Sequence, residues 1–537
     1  MNQFSLVVVD TTAIQAYIFG SNRLRENVGA SHLVHMATRG WLLDEPDSLL
    51  PRPHNIRGRQ MAPELQIEAT ARTGPPLAAE VIQVGGGNAV ILFRSESDAR
   101  TFGRRLSTRL LVEAPGLEAV MVVEPFTWSG SLAAAMSRAY QKLAAKKAQR
   151  EPSLPLLGLG VSARCRSTGL VANFLEREPG APDGARTLPI SAETRAKWDN
   201  NAQARSRLRR SLDVLQDLEL EIPDQFEHLG RTAGEFSYIA VVHADGNHVG
   251  KTARAITERN HSLSGDDNRR YIEELRVFSA LVDSAGLAAL NETVGAVIRW
   301  NLDRENGLPP HAEGGREYIS IRPIVFGGDD VTFVCDGRIG LRAAQIYLEA
   351  FNRQQIPDAG GQNQPAIAAA GVAIVKSGYP FARAYELSEQ LCANAKRAVQ
   401  RKAPALDWHM AQGGLYGSLG EIRAREYGEE RNERGEIVSS LLMRPVTVGA
   451  STALEWRTWD NFVALQRAFK ADWATSKLMN LRESLRQGSS AVQIFTRNYG
   501  ELPPADLRAT QYRKTGWDSG RCVYFDAIEM FEQEVNA

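Results

Sequence analysis

Residues 318–336 read YISIRPIVFGGDDVTFVCD, two apolar runs around a Gly-Gly-Asp-Asp. Ile319 to Phe326 and Val331 to Cys335 are rich in Val, Ile and Phe and have strand length. The short glycine link between them predicts a hairpin. Two adjacent carboxylates at the tip of a buried hairpin need a partner, because unpaired buried charge is expensive. Gly327 and Gly328 carry no side chain, so a phosphate or a metal ion can approach the backbone there. Taken alone, the run also fits an ordinary turn, since Gly and Asp are common turn residues.

A second stretch bears on the first. Residues 238–251 read YIAVVHADGNHVGK, an apolar strand ending in Asp245, then Gly246 and Asn247. A carboxylate at the end of one strand can face a carboxylate hairpin on its neighbour. Asp245, Asp329 and Asp330 together offer hard oxygen ligands suited to Mg²⁺ or Mn²⁺. Two such ions can activate a hydroxyl and stabilise triphosphate charge during in-line attack. His243 and His248 flank Asp245 without zinc-ligand spacing, and His243 alternates with the apolar strand positions. GNHVGKT at residues 246–252 has three residues where a P-loop needs four, and Asp245 would sit where the phosphate must lie.

The strand ending in Asp-Gly-Asn, followed by helices and a Gly-Gly-Asp-Asp hairpin, resembles the palm domain of nucleotidyl cyclases and polymerases. It is most similar to the large subunit of type III CRISPR effector complexes, which makes cyclic oligoadenylates, and less so to GGDEF diguanylate cyclases. The resemblance implies that Asp245, Asp329 and Asp330 hold two metal ions and that ATP is the substrate. It implies that Gly246, Asn247, Gly327 and Gly328 shape the nucleotide contacts. Lys396, in an Asn394-Ala-Lys run late in a helix, is implied to face the triphosphate. A lysine capping the dipole at a helix end fits that position equally.

The resemblance extends towards the N-terminus. An apolar run ends at Asp10, and residues 81–93 read VIQVGGGNAVILF, again strand, glycine turn, strand. Helix over 97–111 and strand over 117–126 follow. The order parallels that around Asp245 and predicts a divergent internal repeat, two palms in one chain. Gly87 and Asn88 stand where the other copy has its two acids, so this copy is expected to lack the metal pair. The alternatives for it are a nucleotide-shaping role and a purely structural duplicate.

Composition bounds the rest. The 537 residues allow about three or four domains. Lys+Arg and Asp+Glu both number 63, which argues against a protein that coats nucleic acid over its whole surface but leaves room for a local basic groove. Cys165, Cys335, Cys392 and Cys522 form no CxxC pair, so neither a zinc ribbon nor a disulfide framework is expected. The N-terminus lacks a basic, signal-like start and no long apolar run suggests a membrane span, so a cytoplasmic protein is expected. No His-Asp dipeptide occurs, and the nuclease that some CRISPR large subunits carry is expected to be absent.

The expected architecture is α/β (α+β): two ferredoxin-like palms of βαββαβ type and a helical C-terminal domain. Residues 1–128 form the degenerate palm, 129–236 a partly helical connector, 237–411 the catalytic palm and 412–537 the helical domain. Lys142, Lys146, Lys147 and Arg150 read as a solvated helix face. Trp456, Trp459, Phe462, Leu465, Phe469 and Trp473 read as helix-packing core rather than a base-stacking platform. The expected activity is metal-dependent nucleotidyl transfer giving a cyclic or short oligonucleotide. Expected partners are nucleoside triphosphates, RNA and CRISPR-type small and backbone subunits. The rival is a catalytically silent scaffold that only holds nucleotide or RNA. A cyclase making a dinucleotide is a third reading, less well matched by the two-palm layout.

Overall fold

The computed structural model describes residues 3–44, 48–69, 75–149, 160–180, 184–229, 238–305, 307–411, 417–507 and 510–531. The expected domain boundaries at 236/237 and 411/412 lie outside the described residues, as does Arg150.

The first unit runs β1 (Gln3–Thr12), α1 (Ile14–Phe19), α2 (Leu24–His35), β2 (Ala79–Gly85), β3 (Asn88–Phe93), α3 (Glu96–Glu113), β4 (Glu118–Thr127) and α4 (Leu132–Ala148). Its sheet has the order β2-β3-β1-β4, with every neighbouring pair antiparallel. Alternation along β1 divides its side chains between two cores. Leu6 and Val8 join Met136 of α4, whereas Val7 and Val9 join Val28 and Leu33 of α2. Ser95 caps α3 and Ser131 caps α4, each accepting a backbone N–H three residues on. Of the lysines expected on a solvated face, Lys142 and Lys146 are exposed, Lys142 pairing with Glu124 at 2.6 Å, and the half-buried Lys147 pairs with Asp10 at 2.5 Å. Between the units lie α5 (Ala192–Asp199) and α6 (Asn201–Ser211), whereas α4, expected in the connector, packs on the first sheet.

The second unit repeats the order with additions: β5 (Tyr238–Gly246), α7 (Val249–Arg259), α8 (Asp267–Leu302), β6 (Ile321–Val325), β7 (Asp330–Asp336), α9 (Gly340–Asn352), β8 (Ala368–Lys376), α10 (Phe381–Ala398) and β9 (Ala405–Met410). The sheet order is β6-β7-β5-β8-β9, extended by β10 (Val446–Thr447). Its first four strands repeat the arrangement of the first sheet, and β9 adds in parallel to β8. Ala240, Val242 and Ala244 of β5 pack into a core with α8 and α9. Ile239 and Val241 pack on the other face with Tyr385 and Leu391 of α10. That parity puts Asp245 on the α10 face.

Helix α8 carries 36 residues in one run. By length and composition it could cross a membrane, contrary to the expectation that no such segment exists. It serves here as a core helix, with 61% of its most apolar stretch buried. Its first turns are polar and dock on the first unit. Asn268 donates to the carbonyls of Trp128 and Gly130 at 2.9 Å, and Arg269 and Arg276 reach the buried Glu80 at 2.6 and 2.8 Å.

The C-terminal segment holds α11 (Leu419–Tyr427), α12 (Trp459–Asp472), α13 (Thr475–Gln487), α14 (Ser489–Tyr499) and α15 (Phe525–Glu529). Trp459, Phe462, Leu465 and Phe469 are buried core residues, as their spacing predicts. The segment is welded to the second sheet. β10 pairs with β9, Phe462 packs on Trp408 at 5.1 Å, and the buried Arg444 pairs with Asp526 and Glu529.

Candidate active site

Strand register assembles the carboxylates. Asp330, the first residue of β7, lies directly opposite Asp245 on β5, so both side chains emerge on one face. One step beyond, the Gly246 N–H donates to the Asp329 carbonyl at 3.0 Å. A Cβ on Gly246 would stand 2.7 Å from the Asp329 Cβ, so the absent side chain lets the hairpin close on β5. Gly327 and Gly328 turn the hairpin at φ +106° and +87°, a region open chiefly to glycine.

Lys396, in the last turn of α10, is buried rather than on the surface. Its ammonium donates to the Asp245 carboxylate and, at 3.1 Å, to the Gly246 carbonyl. Burial and the Asp245 carboxylate push the Asp329 carboxyl up to about 7, with Asp330 adding to the effect. Asp330 is pushed up to about 7 by burial, Asp245 and Glu389 of α10. About half of the Asp330 side chain reaches solvent, yet its Oδ1 is sealed and has no hydrogen-bond partner. His243 Nδ1 stands 3.4 Å from that oxygen and 3.3 Å from Thr332 Oγ1; burial holds its pKa below the usual range, so the ring is neutral and structural.

Crowded carboxylates held protonated near neutrality, one with an orphaned oxygen, form a donor set that fits a hard divalent cation. As the side chains stand, no three His, Cys, Asp or Glu residues among those described close into a ligand cage. The Asp245 carboxylate is turned to Lys396. Asn247 is buried and ties down the strand end: its N–H donates to the Ile367 carbonyl at 2.7 Å and its Nδ2 to the Arg401 carbonyl at 3.2 Å. Its Oδ1 has no partner.

Several contributors escaped sequence reasoning. Asp283 of α8 accepts the Gly328 N–H at 3.0 Å and holds the hairpin tip. Gly286, one turn on, lets the helix touch the loop, since a Cβ there would lie 2.1 Å from the Gly328 carbonyl oxygen. A glycine in the middle of an apolar helix was the available signal for such close approach. Tyr347 of α9 is fully buried, with an unpartnered hydroxyl, and burial followed by Asp329, Asp330 and Asp245 raises its pKa.

The first unit reproduces this geometry with altered chemistry. Asp10 lies opposite Asn88, the Thr11 N–H donates to the Gly87 carbonyl at 2.9 Å, and Lys147 near the end of α4 pairs with Asp10. Asn88 and Gly87 thus take the places of Asp330 and Asp329. Asn88 Oδ1, like Asp330 Oδ1, is buried without a partner.

No family model and no curated protein matches the sequence. Solved structures do match in fold. The chain aligns over 99% of its length with 70% of a chain in the Csm1-Csm4 cassette in complex with cA4, at 14% identity and a TM-score of 0.52. The cassette in complex with AMPPNP matches with the same coverage, identity and score. The Csm1-Csm4 subcomplex of the type III-A CRISPR-Csm interference complex matches with that coverage at 13% identity and a TM-score of 0.51. Strand order, hairpin and full-length alignment together give this chain the fold of the palm-domain large subunit of type III CRISPR effector complexes.

Proposed function

We propose that the protein is a metal-dependent nucleotidyltransferase that joins nucleotides, with ATP as the substrate, into a cyclic or short oligonucleotide. The two units are its palms, the second catalytic and the first degenerate. The observation that carries this reading is the opposed pair Asp245 and Asp330, with Asp329 adjacent and Lys396 buried beside them. Asp245, Asp329 and Asp330 would hold two Mg²⁺ or Mn²⁺ ions, which when bound lower a hydroxyl pKa and offset triphosphate charge. Gly327, Gly328 and Gly246 keep the backbone open to the phosphates. Lys396 keeps one positive charge in place, and fixed positioning supplies much of the remaining rate. The fold neighbours were crystallised with AMPPNP and with cA4, which supports an adenine nucleotide as substrate. Their cassettes pair Csm1 with Csm4, which supports a CRISPR-type subunit as partner.

The test is product analysis by mass spectrometry after incubation with all four nucleoside triphosphates and Mn²⁺, with and without RNA. Oligonucleotide and pyrophosphate are expected from the wild type and not from Asp329→Ala/Asp330→Ala. Wild type that yields neither under any of these conditions sinks the reading. The rival is a scaffold that holds nucleotide or RNA without chemistry, favoured by the missing acids at Gly87 and Asn88. Unchanged, metal-independent nucleotide binding in the double mutant would support it.

A further inference from the structure

A second cluster of charge lies where α2, α6 and β6 meet, and it is positive. Arg322 of β6 is 1% exposed, yet among the described residues it makes no hydrogen bond or ion pair, and its Nε and Nη1 are buried without partners. Arg207 of α6 is 8% exposed, its Nε likewise orphaned, with its guanidinium 4.3 Å from the centre of the Phe326 ring. Phe326 directly precedes the glycines of the carboxylate hairpin. Arg39, just past α2, is electrostatically coupled to Arg207 and pairs with Asp283 at 3.3 Å, the residue that holds Gly328.

Among the described residues, Asp224 offsets part of the charge on Arg322, and it is shared with Arg25 and Arg205. Arg205 sits beside Arg322, and the His32 ring, with Nδ1 unpartnered, is held down to about 3 by burial, Arg207 and Arg210. Burial and Arg39 bring Arg207 down to about 9. The acids at the edge are engaged elsewhere: Asp224 with Arg25 at 2.8 Å, Asp283 with Arg39 and Gly328. Buried guanidinium groups are normally paired, and two that repel one another and keep buried nitrogens without partners imply a missing anion. The planar fork of Arg matches phosphate oxygens two at a time.

We propose that Arg207 and Arg322, backed by Arg39 and His32, form a binding site for a phosphate group, beside the hairpin but separate from its carboxylates. The site stands whether or not the carboxylates perform transfer.

The experiment is isothermal titration of the full-length protein in EDTA, with inorganic pyrophosphate and separately with ATP. Wild type and Asp329→Ala/Asp330→Ala are each expected to bind one pyrophosphate. Arg322→Met and Arg207→Met are expected to bind at least about tenfold more weakly, the loss of one charged hydrogen-bonding partner. Arg322→Met should also raise the melting temperature of the ligand-free protein, because it removes an unpaired buried charge. If it fails to fold, Arg322→Lys and Arg207→Met carry the test. Absence of saturable binding to wild type, or equal affinity in the Arg variants, overturns the proposal. ATP binding with the same Arg dependence assigns the phosphate to a nucleotide; binding of pyrophosphate alone assigns it to the free anion.

Discussion

Asp330 makes the ligand-free protein pH-sensitive in a direction opposite to most carboxylates. Its folded pKa lies at about 7, above the ordinary carboxylate value, so the folded state retains a proton that the unfolded chain has lost. Stability from this source is therefore complete below about pH 4 and is lost as pH rises through 7. Asn matches the protonated acid in shape. Asp330→Asn should melt close to wild type at pH 4 and above it at pH 8, with Mn²⁺ narrowing the gap at pH 8 by stabilising wild type alone. Melting curves at the two pH values check this; a constant offset would show that the carboxyl does not titrate there. Lys396→Met leaves the Asp245 carboxylate, itself 40% exposed, without its cation. The cost is about 1–2 kcal/mol, between the exposed and buried limits for an ion pair. Product formation should fall at least about 100-fold, as for loss of a charge aimed at the reacting phosphates. Denaturant titration and product yield read the two effects separately.

At the scale of elements, the site depends on how closely α8 lies over the hairpin. Gly286→Ala would place a methyl 2.1 Å from the Gly328 carbonyl oxygen, and backbone on both sides cannot yield cheaply. We expect a loss of about 1–3 kcal/mol, as for other overpacked contacts, and a displaced hairpin with reduced product yield. Chemical denaturation and the mass-spectrometric assay check both, and an unchanged variant would remove α8 from the positioning of Asp329. This contact also shows what the sequence could and could not reveal. Strands, the glycine hairpin and the residues Asp245, Asp329 and Asp330 are local patterns, and each lies where its spacing predicts. Asp283, Gly286 and Glu389 reach the site across more than 40 residues, and a local pattern carries no record of such contacts. Helix α7 occupies Val249–Arg259, though its first turn holds the polar run that read as a broken P-loop. The lone lysine at 396 was ambiguous for a similar reason: only the packing of α10 on β8, β5 and β9 decides that it points inward.

On the scale of the molecule, the two units behave as halves of one body because polar groups of α8 are buried in the first. Glu80 is fully buried and faces Arg269 and Arg276, with Glu68 closing the other side of Arg269. Arg276 also donates to the Val81 carbonyl at 2.6 Å. Such a cluster specifies how the halves meet more than it strengthens the join, since each charge gave up water to enter it. Removing one member is different, because it strands the others. Glu80→Gln leaves two buried guanidinium groups facing a neutral amide and is expected to cost about 3–5 kcal/mol. Replacing the acid and one cation together, Glu80→Leu/Arg276→Met, exchanges charge for apolar packing and should cost less than the single change. Equilibrium unfolding of both variants checks the order. If Glu80→Gln proves the milder of the two, the cluster is held by packing around it, and the orientation of the first unit against the catalytic hairpin rests on the apolar cores that cross the interface.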